Sequence, residues 1–589
     1  VRRCLVGGAV VLALLAALLP DSAASAVPGS RVAPVPLERL FDNAAVSADA
    51  RPGEADFDGS GASLSARDLA AAGWTPGRAL TVQAARLTWP RRAPGEPDNV
   101  RAGGQDVRVD GSGDALAFLI AGTAGMPVTG TGTVAYADGT RSPYLLTAPD
   151  WRRGPLATKA VALPHINTPV GQLAEQARLY VVTVPILPGR PVVSVRLPDA
   201  TDLHVFALSV RAAATPGWTG SWAAATSGYP AVGPWSDRTL RLVVHTSAGG
   251  PRVRLRFDNT FAAAPVRIGS ATVAVRAEGA AARDAPLPVS FLGAAGVEIP
   301  AGAQAFSDPF DFAVPADADL LVSFRLPDSV SAAPVHRLAA QRSYLSEPGD
   351  HAADGSPAAY TSVVTSWPLL TGVDVGGGPG SVVLLGDSIT DGDRSTVDAN
   401  RRWPNVLATR LLAQNVVPHY GVLNQGISAN RVVADRYPGD GVSADTGGVS
   451  ALNRFDRDVL AQTSARTAVV FEGVNDVRWG ATAEQVIAGL RELAARGHAR
   501  GLRMLAATIL PCAGEARCTP AVDGERGTVN AWLRSTGEFD GLLDFDAVLR
   551  DPVHPARLLP AFDSGDHLHP GDAGLAALAR SVDLRLLGT

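Results

Sequence analysis

Three hydrophobic patterns follow one another along this chain. From residue 40 to about 213, short apolar stretches alternate with polar positions and are cut repeatedly by Gly, Pro and Asp; Ala79-Leu80-Thr81-Val82-Gln83 and Arg178-Leu179-Tyr180-Val181-Val182-Thr183-Val184 are examples. Alternation with period two between turn residues predicts strands, here of a β-sandwich, with one short helical turn near 65–72. A second β-rich stretch covers 216–375. There Leu240, Leu242 and Val244 alternate with Arg241, Val243 and His245, and Val253, Leu255 and Phe257 with Arg252, Arg254 and Arg256. This predicts strands buried on one face, with an arginine-lined face in water.

The third pattern starts at residue 381 and runs to 589. Ser381-Val382-Val383-Leu384-Leu385, Ala468-Val469-Val470-Phe471, Met504-Leu505-Ala506-Ala507 and Leu542-Leu543 are apolar without alternation, and helical repeats separate them. Such runs predict a parallel sheet covered on both faces. Thr482-Ala483-Glu484-Gln485 has the form of a capping box. Val486, Ile487, Leu490, Leu493 and Ala494 then share a helical face, with Gly497 placed as its C-cap. Leu575, Leu578, Val582 and Leu586 stripe a last helix.

Length and composition refine this picture. At 589 residues the chain exceeds what one core supports, so several domains are expected. A net charge of −5 gives no reason to expect nucleic acid as a partner. Arg2 and Arg3 precede an apolar run over 5–19 and small residues at Ala24-Ser25-Ala26. We read 1–26 as a secretory signal peptide, 27–39 as a linker and the mature protein as extracellular, with no transmembrane segment. Cys4 precedes the apolar run, which argues against a lipid anchor, and leaves Cys512 and Cys518 as an expected disulfide. No metal is expected there, because two thiolates fill half a tetrahedron. Asp56 and Asp58 form an acidic turn, and whether it holds calcium stays open at this point.

Candidate chemistry gathers after residue 386. Ser388 closes Gly386-Asp387-Ser388 at a strand end, where its hydroxyl offers a nucleophile and its N–H an oxyanion donor. Asp566-His567-Leu568-His569 sets an acid and histidines on one loop. Gly426 follows Val422-Leu423 and offers a further N–H, and Asn475 follows Val469-Val470-Phe471 and offers an amide. Taken singly, each of these is also an ordinary turn.

Together and in this order, Ser388, Gly426, Asn475 and His569 resemble the four blocks of the SGNH (GDSL-type) hydrolases. The resemblance extends through Asn400-Arg401-Arg402-Trp403-Pro404, residues 424–431, Phe455-Asp456-Arg457-Asp458 and residues 563–570. It is closest to the secreted bacterial branch in which a β-domain, here from Gly217-Trp218, precedes the hydrolase. It implies a three-layer α/β fold with a flavodoxin-like parallel sheet, no metal or cofactor, and ester hydrolysis through an acyl-enzyme. It implies Ser388 as nucleophile, His569 rather than His567 as base, and Asp566 as orienting acid. The implied oxyanion donors are Ser388, Gly426 and Asn475, with Asp387, Asp391 and Arg431 as structural hydrogen-bonders.

The first β-region lies outside that resemblance. Its Phe41-Asp42-Asn43, residues 56–61 and residues 203–207 resemble a β-sandwich module appended to secreted glycoside hydrolases. The expected function is therefore a secreted esterase removing short acyl groups, acetyl above all, from carbohydrate. The alternatives are a lipase or lysophospholipase, and a carbohydrate-binding protein with a silent hydrolase domain. Acyl-chain length and oligomeric state are not legible in the sequence.

Overall fold

The computed structural model describes residues 33–214 and 216–588. The leader read at 1–26, with Cys4, and the start of the linker lie outside them. The run at Ser381 forms β1 (Ser381–Gly386) of a five-stranded parallel sheet. Its other strands are β2 (Gly421–Gly426), β3 (Ala465–Phe471), β4 (Arg503–Ala507) and β5 (Gly541–Leu543), in the order β2-β1-β3-β4-β5. Successive side chains point to opposite faces, so Val383 and Leu385 enter one core and Val382 and Leu384 another. The first core packs under helices Ala483–His498 and Pro520–Ser535, the second under Trp403–Leu412 and Asp572–Ser581. This is the three-layer α/β fold. The strand order reverses beside β1, which opens a crevice at its carboxyl end.

Local readings hold with adjustments. The Thr482–Gln485 capping box forms. Gly497, expected as a C-cap, instead lies inside the helix, where a Cβ would come within 2.0 Å of Met504 Sδ, so the glycine admits close packing on β4. The last stripe divides between helix Asp572–Ser581 and a separate turn, Leu584–Leu587.

The N-terminal regions are β-rich as expected. In the first, a five-stranded and a four-stranded sheet enclose Phe118, Ile120, Val134, Tyr144 and Val195. In the second, two seven-stranded sheets enclose Leu242, Leu255, Phe257, Val322 and Val373. The hairpin Ala79–Val82/Ala85–Thr88 crosses the expected boundary and joins a sheet of the second region through Thr81 and Gln304. At the acidic turn, Asp58 Oδ1 accepts from Ser60 N–H (3.0 Å) and Asp56 Oδ1 from Gly61 N–H (2.9 Å), so each binds its own loop.

The arginine-lined face is not the solvated surface that the alternation predicts. Only Arg252 is exposed. Arg256 is buried and donates to Thr371 O (3.0 Å) and to Gln462 Oε1 of the C-terminal α/β domain (2.7 Å). Arg254 donates to Asp374 (2.8 Å), and Arg241 is buried with its guanidinium 3.8 Å from the Tyr360 ring. Apart from Arg252, these arginines therefore meet protein rather than water.

The same seam covers the β2 edge of the parallel sheet. Strand Trp218–Ala223 is buried throughout and lies along β2. A Cβ on Gly421 would sit 1.9 Å from Gly220 O, so the two backbones touch. Val422 N–H donates outward to Ser247 Oγ (2.8 Å), and Gly220 N–H donates to Ser381 Oγ (2.9 Å). An edge strand left bare would present these groups for pairing with another chain. A fragment of residues 381–588 is accordingly expected to aggregate where the full chain does not. Size-exclusion chromatography at matched concentration checks this, and a monodisperse, folded fragment would show the cover to be dispensable.

Candidate active site

The site is assembled from loops at the carboxyl ends of the strands. After β1, Asp387 caps the short helix Ser388–Asp391 by accepting from Ile389 N–H (3.0 Å), which turns Ser388 out of the strand line. Ser388 Oγ lies 2.9 Å from His569 Nε2, and His569 Nδ1 lies 2.8 Å from Asp566 Oδ2. Asp566 Oδ1 also accepts the N–H groups of Leu568 (3.0 Å) and His569 (2.8 Å). Burial opposes the Asp566 charge, but these hydrogen bonds outweigh it and hold the carboxyl well below the ordinary range. An ionised Asp566 keeps the proton on Nδ1 and leaves Nε2 free to accept from the serine. His567 is turned away, 2.7 Å from Asp563.

The expected oxyanion donors need one correction. Gly426 N–H is occupied, donating to Asn424 Oδ1 at 2.9 Å, while Asn424 Nδ2 donates to Thr390 O at 2.8 Å. Gly426 is a glycine for another reason, since a Cβ there would lie 2.1 Å from Asp391 N. Further along the loop, Ile427 N–H donates to Gly386 O, Ser428 N–H to Asp391 Oδ2 and Asn430 N–H to Ile427 O. Ala429 N–H meets no acceptor among the described residues, and Ala429 holds a left-handed φ of 67°. Asn475 stands beside this loop, its Nδ2 donating to Asn430 O at 3.0 Å.

A chain of contacts orients that amide. Arg478 Nη1 donates to Asn475 Oδ1 (3.0 Å), and Arg478 is held by both carboxylate oxygens of Glu515 at 3.1 and 3.0 Å. Glu515 lies inside the loop closed by the Cys512–Cys518 disulfide. With Oδ1 engaged by Arg478, Nδ2 must face Asn430 and the crevice. A Cβ on Gly514 of the same loop would touch the His567 ring at 2.9 Å. Arg517 lies over Trp479, 4.1 Å from the ring centroid.

Beneath the site lies Arg454, wholly buried and not singled out by the sequence reading. Its guanidinium donates to Gly386 O (3.0 Å), Gln425 O (2.7 Å) and Asn430 Oδ1 (2.9 Å), and pairs with Asp458 and Glu472, both at 3.3 Å. Burial, with Asp387 nearby, pushes the Glu472 carboxyl up, and burial pushes Asp387 up to about 6. Asp391 pairs with buried His336 of the second β-region at 3.0 Å, and the other ring nitrogen of His336 faces Ala225 O at 3.0 Å. Burial opposes protonation of His336, but the Asp391 carboxylate outweighs it and raises the imidazole above its ordinary value. Asp391 is thus a structural partner, as is Arg431, which donates to Asp435 O at 2.8 Å.

Residues 384–577 match the family model described as GDSL-like lipase/acylhydrolase family. Among solved structures, an acetylxylan esterase from Geobacillus stearothermophilus is 22% identical over 36% of this chain and 94% of its own, with a TM-score of 0.26. A GDSL-like lipase from Bacteroides thetaiotaomicron is 18% identical over 35% of this chain and 87% of its own, with a TM-score of 0.27. No curated protein matches the chain. Among the described residues, no helix is long and apolar enough to cross a membrane, and no cluster of His, Cys, Asp or Glu has the arrangement of a metal site.

Two stability predictions follow from the underside of the site. Arg454→Met removes the donors to Gly386 O, Gln425 O and Asn430 Oδ1 and leaves Asp458 to Arg457 alone; it is expected to cost about 3–5 kcal/mol in a denaturant titration. His336 is charged more readily folded than unfolded, so its contribution is complete below the ordinary histidine range and fades as pH rises through the folded value. The urea midpoint of the wild type should therefore fall across neutral to alkaline pH, and His336→Asn should flatten that slope.

Proposed function

We propose that this chain, whose residues 384–577 form a GDSL-like lipase/acylhydrolase (SGNH hydrolase) domain, is a secreted serine esterase that removes short acyl groups from carbohydrate through an acyl-enzyme. The observation that carries the reading is the unbroken line Ser388 Oγ–His569–Asp566, with contacts of 2.9 and 2.8 Å.

Ser388 Oγ attacks the ester carbonyl while His569 Nε2 takes its proton, and Asp566 stabilises the imidazolium that forms. The oxyanion accepts from Ser388 N–H, which as the first residue of its helix has no intrahelical partner. It also accepts from Ala429 N–H and from the second hydrogen of Asn475 Nδ2. Ala429 thus takes the place that Gly426 holds in the sequence reading. His569 then protonates the leaving alcohol, and water repeats the attack on the acyl-Ser388 ester. A disulfide inside the hydrolase loop supports an exported protein, as does the leader read at 1–26.

Ser388→Ala should lower kcat for a soluble acetyl ester by about 10³-fold or more in a folded protein. Asn475→Ala should lower it by about 10²-fold with little change in KM. Arg478→Met is expected to act the same way more weakly, because it frees the amide to flip. A panel of esters from acetyl to palmitoyl, with acetylated xylan and a lysophospholipid alongside, tests the substrate class. Preference for long acyl chains would overturn the carbohydrate assignment.

A further inference from the structure

Between the second β-region and the hydrolase domain lies a cavity of about 340 Å³, bordered by Asp391 of the nucleophile helix and by Ser428 and Ala429. Its remaining polar walls are Ser227 and Arg337 from the β-region and Arg436, Asp445 and Thr446 from the hydrolase loop. One feature marks it as a binding site rather than a packing gap. Arg337 is exposed, and its guanidinium reaches only Thr446 Oγ1, at 3.4 Å, with no carboxylate in ion-pair range among the described residues.

The other charges on the walls are matched. Arg436 pairs with Asp445 at 2.9 Å, and Asp391 with His336 at 3.0 Å. One positive charge, that of Arg337, is left to face the space. A hydrocarbon chain placed here would desolvate the Arg337 guanidinium without compensation, which is costly. A hydroxylated ring leaves polar groups against these walls, and a carboxylate on it suits the guanidinium fork. The volume stands at the low end for ligand pockets, about the scale of one small ring system rather than a long chain.

The cavity wall is held in place in advance. Residues 427–450 run without helix or strand from β2 to the helix Ala451–Phe455, longer than the roughly 12–15 residues beyond which a structureless loop is usually functional. Both β-regions clamp it. Ser443 N–H donates to Tyr229 O (3.1 Å), Lys159 pairs with Asp440 (3.2 Å), and Gln176 Nε2 donates to Asp440 Oδ2 (2.7 Å). A clamped loop loses little freedom on binding, so its contacts are available to the ligand.

We propose that this cleft is the subsite for the alcohol portion of the ester, and that it takes a sugar bearing a carboxylate, held by Arg337. This rests on the esterase reading and names its substrate class. The test is calorimetry on the full chain carrying Ser388→Ala, with methyl glucuronide, its uncharged counterpart methyl glucoside, and glycerol 3-phosphate as probes. Methyl glucuronide should bind about tenfold or more tighter than methyl glucoside. Adding Arg337→Gln should erase that difference, and Arg337→Lys should retain part of it, with circular dichroism confirming that each variant is folded. Equal binding of the two sugars, binding of neither, or no effect of Arg337→Gln overturns the subsite. Tighter binding of glycerol 3-phosphate overturns it in favour of a phospholipid headgroup. If the sugar preference holds while wild-type protein hydrolyses no ester, the subsite stands and the esterase reading fails.

Discussion

The site depends first on one cation buried out of reach of water. Arg454 binds carbonyl oxygens at the ends of β1 and β2, and Glu472 just past β3. Strand ends in a parallel sheet leave carbonyls pointing into the crevice, and a buried carbonyl without a donor is expensive. A guanidinium, with its five donors, meets several of them at once, and it lies against Glu472 and against Asp458, which it shares with Arg457. The Ser388 turn, the loop with Ala429 and the helix that carries Asn475 each spring from a strand end that Arg454 ties. Relative placement at the tenth-of-an-ångström scale needs such a common anchor, because the three segments are far apart in the chain.

The β-regions enter the same construction. The second covers the edge of β2 and sends His336 beneath Asp391, whose other oxygen fixes Ser428 N–H beside Ala429. The first reaches the long loop through Lys159 and Gln176 and meets the hydrolase domain again where Arg500 faces Asp114 and Asp456 at 3.3 and 3.7 Å. These seams are polar and rich in arginine, with Lys159 the single lysine of the chain. Arginine suits such places because its planar fork bonds carbonyls and carboxylates in fixed directions. The structure thus places both β-regions against the loops that shape the crevice.

Much of the candidate site was nonetheless legible in the residues. Ser388 at a strand end, with Asp566 three residues ahead of His569, could be singled out because each motif is local and its context is set by adjacent residues. Gly426 was misread for a physical reason. A glycine at a strand end signals freedom of the backbone or close approach, and here the approach of Asp391 is the cause, not donation to a substrate. Ala429 carried no signal, since alanine rarely adopts positive φ and nothing in its neighbours announces that it does so here. Arg454 resembled any arginine on a short helix, and Arg478 and Glu515 meet only because the disulfide loop folds back onto the helix Val474–Arg478.

Sequence alone determined the three hydrophobic regimes, the parallel sheet and the order of the candidate site residues, because hydrophobic period and turn chemistry act over a few neighbours. Tertiary structure alone decided which side of each strand faces water and which N–H remains free. Alternation at Arg252, Arg254 and Arg256 reads the same whether the polar side meets solvent or another domain. Only closure of the chain brings Gln462 to Arg256, His336 to Asp391 and Arg337 to the wall of the crevice. Those contacts join residues 55 to more than 200 positions apart, a range over which local pattern carries no information.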